Sequence, residues 1–161
     1  MKHALVLLLI APTLFGAAAI RPQQLRSEYR VNPQGIDVTD PRLSWVLTAV
    51  DPKARGLRQT AYRVIVASTE RALAAGTGDL WDTGKVASDQ STQVVYRGKP
   101  LTSGAGAFWK VQVWDQAGQP SDWSAPAQWS MGLLHPQDWQ AKWIGRDEPA
   151  VTTGHRLAAR L

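Results

Sequence analysis

At 161 residues, 44% of them hydrophobic and 19% charged, the chain has room for one domain plus a tail, and its composition folds rather than stays disordered. It has no cysteine, which excludes disulfides, thiolate metal sites and a lipid-modified N-terminal cysteine. The formal charge of +5 is scattered singly over residues such as Arg42, Lys53, Arg63, Lys85, Arg97 and Lys110, so no basic stripe offers the footprint of a nucleic-acid binder.

Lys2 and His3 precede an apolar run over residues 4–15, and Gly16, Ala17, Ala18 and Ala19 then supply small residues of the A-x-A kind. This is the pattern of a secretory signal peptide over residues 1–19, cut after Ala19. A membrane anchor is the weaker reading, because about a dozen apolar residues fall short of the roughly 20 that span a bilayer, and Pro12 interrupts them. The expected product is secreted or periplasmic, with no membrane partner after cleavage.

Residues 25–31 (LRSEYRV) alternate and end at Asn32-Pro33, with Gly35 behind, which predicts a first strand closed by a turn. Residues 36–41 read as an extended connection. Leu43, Trp45 and Leu47 then alternate with Arg42, Ser44 and Val46, a second strand with a tryptophan at its centre. After a polar turn at residues 51–56, residues 60–68 (TAYRVIVAS) set Tyr62, Val64 and Val66 on one face, and their β-branched content predicts a central strand. A cap at Ser68 or Thr69, the helix formers of residues 69–76 (TERALAAG), and Gly76 and Gly78 predict one or two helical turns.

Residues 80–86 (LWDTGKV) read as a short strand with a Thr-Gly bulge or turn, residues 92–96 as another, and residues 103–106 as a glycine-rich turn. In residues 108–132, Trp109, Val111 and Val113 alternate with Lys110 and Gln112, the stretch from Asp115 to Pro120 breaks the pattern, and residues 127–131 resume it around Trp129. That predicts a hairpin at the edge of a sandwich. Seven strand candidates along about 110 residues, with almost no helix, predict an all-β fold: an immunoglobulin-like or fibronectin-III-like β-sandwich of about seven strands over residues 24–132. Residues 133–161, with DWQAKWIG at 138–145 and new apolar residues beginning at Leu157 and Leu161, read as a linker and the truncated start of a second β-sandwich.

Eight tryptophans are unusually many for this length. Trp45, Trp109 and Trp129 lie on the strand faces assigned to the interior, where each ring fills space between two sheets. Trp114 and Trp123 lie off that face. Either they form a platform on which a sugar ring stacks, or they form a surface ladder and domain contact in which a long cation such as Lys110 or Arg63 lies over an indole. The candidate interface or sugar-contact residues are therefore Trp114, Trp123, Trp139 and Trp143.

Chemistry is sparse. The acids Asp40, Asp51, Asp79, Asp82, Asp89, Asp115 and Asp122 sit mostly in turns, the default use of aspartate. His135 and His155 have no second ligand at metal spacing, no G-x-S-x-G elbow is present, and Gly76-Thr77-Gly78 lacks the rest of a phosphate loop. No catalytic residue, metal site or cofactor is assigned, and the chain by itself is expected to catalyse nothing.

Residues 25–45 (LRSEYRVNPQGIDVTDPRLSW), 58–68 (RQTAYRVIVAS), 79–91 (DLWDTGKVASDQS), 108–124 (FWKVQVWDQAGQPSDWS) and 129–145 (WSMGLLHPQDWQAKWIG) together resemble the N-terminal part of bacterial α-L-rhamnosidases. Those enzymes are multi-domain inverting glycoside hydrolases. The resemblance implies a fibronectin-III-like module, then the entry into a second β-sandwich from Asp138 onward, with the (α/α)6 catalytic barrel far downstream. The family's catalytic glutamates belong to that barrel, and no position here matches them. The implied activity of the parent is removal of terminal α-L-rhamnose from glycosides. The implied partners of this chain are downstream domains of the same protein. The alternative is a free-standing carbohydrate-binding module whose exposed tryptophans hold a rhamnose-containing glycan.

Overall fold

The computed structural model describes residues 18–142. Most of the expected signal peptide, and the stretch from Trp143 onward, lie outside the described residues. Seven strands and one short helix follow in order: β1 (Ile20–Ser27), β2 (Arg42–Ala49), β3 (Gln59–Ala67), α1 (Glu70–Ala74), β4 (Trp81–Asp82), β5 (Val94–Val95), β6 (Gly106–Asp115) and β7 (Ala127–Ser130). They form two antiparallel sheets, β1-β2-β5 and β4-β3-β6-β7. This is the sandwich that the spacing of the strand candidates predicts.

The sheets meet over one apolar core. From the first sheet come Ile20, Leu25, Leu43, Trp45 and Val94, and from the second Tyr62, Val64, Val66, Trp109, Val111, Val113 and Trp129. Strand β6 shows why: every second side chain from Ala107 to Asp115 is buried, and the intervening ones are half-exposed. Trp45, Trp109 and Trp129 are all essentially excluded from solvent. Two of these rings are set edge-on to tyrosines, Trp45 on Tyr62 with centroids 5.3 Å apart and Trp129 on Tyr96 at 5.5 Å.

The N-terminal strand differs from the reading of its sequence. β1 begins at Ile20 and ends at Ser27, where residues 25–31 were expected. Two features displace it. Gln24 has a positive φ of 50° and sits at a register break between Gln23 and Arg26, so the buried positions run Ile20, Pro22, then Leu25, Ser27. Beyond Ser27 the chain turns through left-handed Glu28 and Tyr29, and Tyr29 and Val31 point outward although they continue the alternation.

The helix is as the caps predict. The Thr69 hydroxyl accepts the Ala72 N–H at 3.2 Å, and Leu73 is the residue it buries. β4 and β5 are only two residues each. Past β4, Gly84 takes a positive φ and the chain bridges back to Tyr62 through Val86.

Candidate functional site

β3 and β6 pair along most of their length, and the register sets Ala61 opposite Trp114, Arg63 opposite Gln112, Ile65 opposite Lys110 and Ala67 opposite Phe108. Because the residues between them face the core, these eight line the outer face of the four-stranded sheet. At one end α1 lays Leu73 against Ile65 and Ala67, with Ala72, Phe108 and Trp123 packed around this second, smaller cluster.

Trp123 reaches that face through residues 119–124, which return alongside β6. The backbone N–H groups of Ser121 and Ser124 donate to the carbonyls of Val113 and Val111 at 2.8 and 2.9 Å. Their hydroxyls accept the N–H groups of the same two valines at 3.1 Å each, then donate to the carbonyls of Asp122 and Ala125. Two buried serine hydroxyls thus stand in for carbonyl acceptors that an ordinary strand would supply. Proline at 120 and 126 fits such a segment, which uses side chains to complete its ladder.

The electrostatics follow from this placement. Lys110 Nζ lies 5.1 Å and Arg63 Cζ 5.8 Å from the centroid of the Trp123 ring. Lys85 Nζ lies 4.7 Å from that of Trp114. Arg63 is held flat by a two-pronged pair with Asp82, Nε to Oδ1 at 3.0 Å and a terminal nitrogen to Oδ2 at 2.6 Å. The Arg63 hydrogen bond holds the Asp82 carboxyl below its ordinary range, and Asp82 in turn raises the guanidinium.

Of the four tryptophans singled out from the sequence, the structure brings Trp114 and Trp123 onto one sheet face and lays cations over both. Trp139 stands apart, 61% exposed, at the end of a single 3-10 turn, Pro136–Asp138. Trp143 lies outside the described residues. Lys110 and Arg63 were expected over an indole. Lys85 was not, and no sequence signal marks it, because only the loop after β4 carries it to β6.

Four of the acids close turns or loops. Asp51 accepts from the Lys53 N–H, Asp79 from Ser68, Asp82 from Gly84, and Asp115 from Ala117 and Gln119, each closing a local turn or loop. Among the described residues no group of histidine, aspartate and glutamate is arranged to hold a metal ion. The outer face is therefore a cation-covered aromatic surface.

Comparison with known proteins fits this geometry. Residues 22–135 match the family model described as "Rha78A-like, N-terminal immunoglobulin domain". The α-L-rhamnosidase of Streptomyces avermitilis is 44% identical over 132 residues, which is 82% of this chain and 12% of that protein. One from Formosa agariphila is 39% identical over 127 residues, 78% of this chain and 13% of the relative. Among solved structures, the S. avermitilis enzyme complexed with L-rhamnose superposes with a TM-score of 0.71 at 45% identity, covering 79% of this chain and 12% of that one. The α-L-rhamnosidase from Dictyoglumus thermophilum does so with a TM-score of 0.72 at 38% identity, covering 79% and 14%. The chain thus spans about one-eighth of the length of the curated relatives it matches. It belongs to the Rha78A-like family of N-terminal immunoglobulin domains, the leading module of α-L-rhamnosidases.

Proposed function

We propose that this chain is the non-catalytic N-terminal module of an exported α-L-rhamnosidase, and that its outer-face ladder is a contact surface for other domains of the same polypeptide. The observation that carries the reading is coverage: nearly the whole of the described fold aligns to an eighth of proteins that act as α-L-rhamnosidases. The apolar N-terminal run then serves as the leader, and residues 133–161 lead into the next domain. Hydrolysis of terminal α-L-rhamnose belongs to that longer protein. An inverting glycosidase needs one carboxyl to protonate the leaving oxygen and another to activate water across a cleft. Asp51, Asp79, Asp82 and Asp115 of this module accept bonds that close turns and loops instead.

The ladder supports a protein contact over a sugar platform. Trp123 has Lys110 and Arg63 over its ring and Trp114 has Lys85, so a sugar must displace a cation to stack there. Trp139, and Trp143 by its position in the sequence, mark the chain's way out toward the following domain.

The test is to read the coding frame beyond Leu161 and to assay both products on an aryl α-L-rhamnoside. A longer product that releases rhamnose, beside a 161-residue chain that does not, is the expected result. Turnover by the short chain overturns the proposal.

A further inference from the structure

Two cuts satisfy the small-residue pattern of the leader: after Ala18, with Gly16 two residues before it, or after Ala19, with Ala17 two before it. The fold discriminates between them. The Ala19 N–H donates to Oδ2 of Asp115 at 2.9 Å, and the Ala19 carbonyl accepts the Val50 N–H at 2.9 Å. Asp115 is 3% exposed, and its other oxygen, Oδ1, is already taken by the N–H groups of Ala117 and Gln119 at 2.9 and 3.0 Å.

Asp115 occupies a core-phase position at the end of β6, yet none of the ion pairs among the described residues includes it. A buried carboxylate of this kind is held by hydrogen bonds and a counter-charge, or it costs stability. Burial pushes its carboxyl up, and the donors of Ala19, Gln119 and Ala117 outweigh that and hold it below the ordinary range. The carboxylate is thus kept ionised, with one oxygen aimed at the nitrogen of residue 19.

We propose that the leader is removed between Ala18 and Ala19, and that the α-ammonium so created at Ala19 is the counter-ion of Asp115. This rests on the export reading above. The step is a hydrolysis by a leader peptidase of the exporting cell. Water adds to the Ala18 carbonyl carbon and the C–N bond to Ala19 breaks. The oxygen stays on Ala18 as a carboxylate, and the Ala19 nitrogen leaves as an ammonium. An ammonium in place of an amide makes the 2.9 Å contact an ion pair as well as a hydrogen bond. Cutting after Ala19 instead deletes both the Asp115 and the Val50 bonds. Ala18 is buried in the uncut fold, so the cut must precede the closing of β1.

The full chain, leader included, is produced in an exporting bacterial host, and the exported protein is read by N-terminal sequencing and intact mass. A mature N-terminus at Ala19 is expected. Exported protein beginning at Ile20 or any other residue overturns the inference and leaves the export reading standing, whereas a chain that stays uncut in the cytoplasm overturns both. Chains released with Ala19 or Ile20 in first place are then melted side by side. The Ala19 form is expected to melt about 4 °C or more higher, and Asp115→Asn to narrow that gap. Equal melting of the two unmutated forms overturns the counter-ion role without relying on a variant that fails to fold.

Discussion

Trp45 donates its indole N–H to Oε1 of Gln59 at 2.9 Å, inside the core and across the gap between the two sheets. The same amide donates through Nε2 to the carbonyls of Ser88 and Gln90 at 3.1 and 2.9 Å. One side chain, 2% exposed, therefore ties β2, β3 and the connection before β5. Gln59→Leu leaves the indole and both carbonyls without that partner, and is expected to cost about 2–4 kcal/mol in urea unfolding. The indole nitrogens of Trp109 and Trp129, by contrast, find no acceptor among the described residues. Trp45→Phe should accordingly cost roughly 1 kcal/mol more than Trp129→Phe under the same conditions.

The turn after β1 carries an acid-sensitive latch. Glu28, at a φ of 47°, accepts three hydrogen bonds from Arg42: the backbone N–H at 2.7 Å, Nε at 3.0 Å and a terminal nitrogen at 2.6 Å. The Arg42 side-chain bonds hold the Glu28 carboxyl below its ordinary value of 4.5. A carboxyl depressed in the folded state contributes stability that is present above the unfolded value and lost as pH falls through the folded one. Glu28→Gln should cost roughly 1 kcal/mol at neutral pH, because Arg42 is partly solvated, and should shallow the fall in stability below about pH 4.5. Denaturation midpoints across the acid range read both effects.

At the other end of the scale stands Tyr96. Its hydroxyl donates to the Lys99 carbonyl at 2.7 Å, and its ring is packed between Trp81 and Trp129. Burial, with a smaller contribution from the Asp79 charge, raises the phenol from 10.0 to about 12. Here the neutral form is the one the fold retains, so its contribution is complete below the unfolded value and is lost as pH rises from about 10 toward 12. Tyr96→Phe should reduce stability at neutral pH by about 1 kcal/mol, the value of the hydroxyl's bond, and flatten the alkaline limb. Alkaline melting curves of the two chains check this.

The strands that pack the core were legible because their chemistry is redundant. β3 and β6 alternate over long stretches with β-branched and aromatic residues, so the period survives any one exception. β1 was not, because alternation carries no record of a left-handed residue: Gln24 shifts the phase and Glu28 ends the strand while Tyr29 and Val31 continue the pattern outside. Trp114 was legible as an off-core residue by parity, whereas Trp123, lying between β6 and β7, has no alternation to place it. Their surroundings were not fully legible, because the Lys85 contact and the Asp82 pair depend on where β4 and its loop run, and the hydroxyls of Ser121 and Ser124 read in sequence as ordinary loop polarity.

Whether the outer-face indoles serve a protein contact or a sugar is decided most directly by titrating the 161-residue chain with L-rhamnose and with an α-L-rhamnoside while following tryptophan fluorescence. With Lys85, Lys110 and Arg63 over the Trp114 and Trp123 rings, the expected result is no saturable change at any concentration reached. Saturable quenching that Trp123→Ala or Trp114→Ala abolishes, in variants that remain folded, would contradict the scaffold role and establish a carbohydrate-binding one.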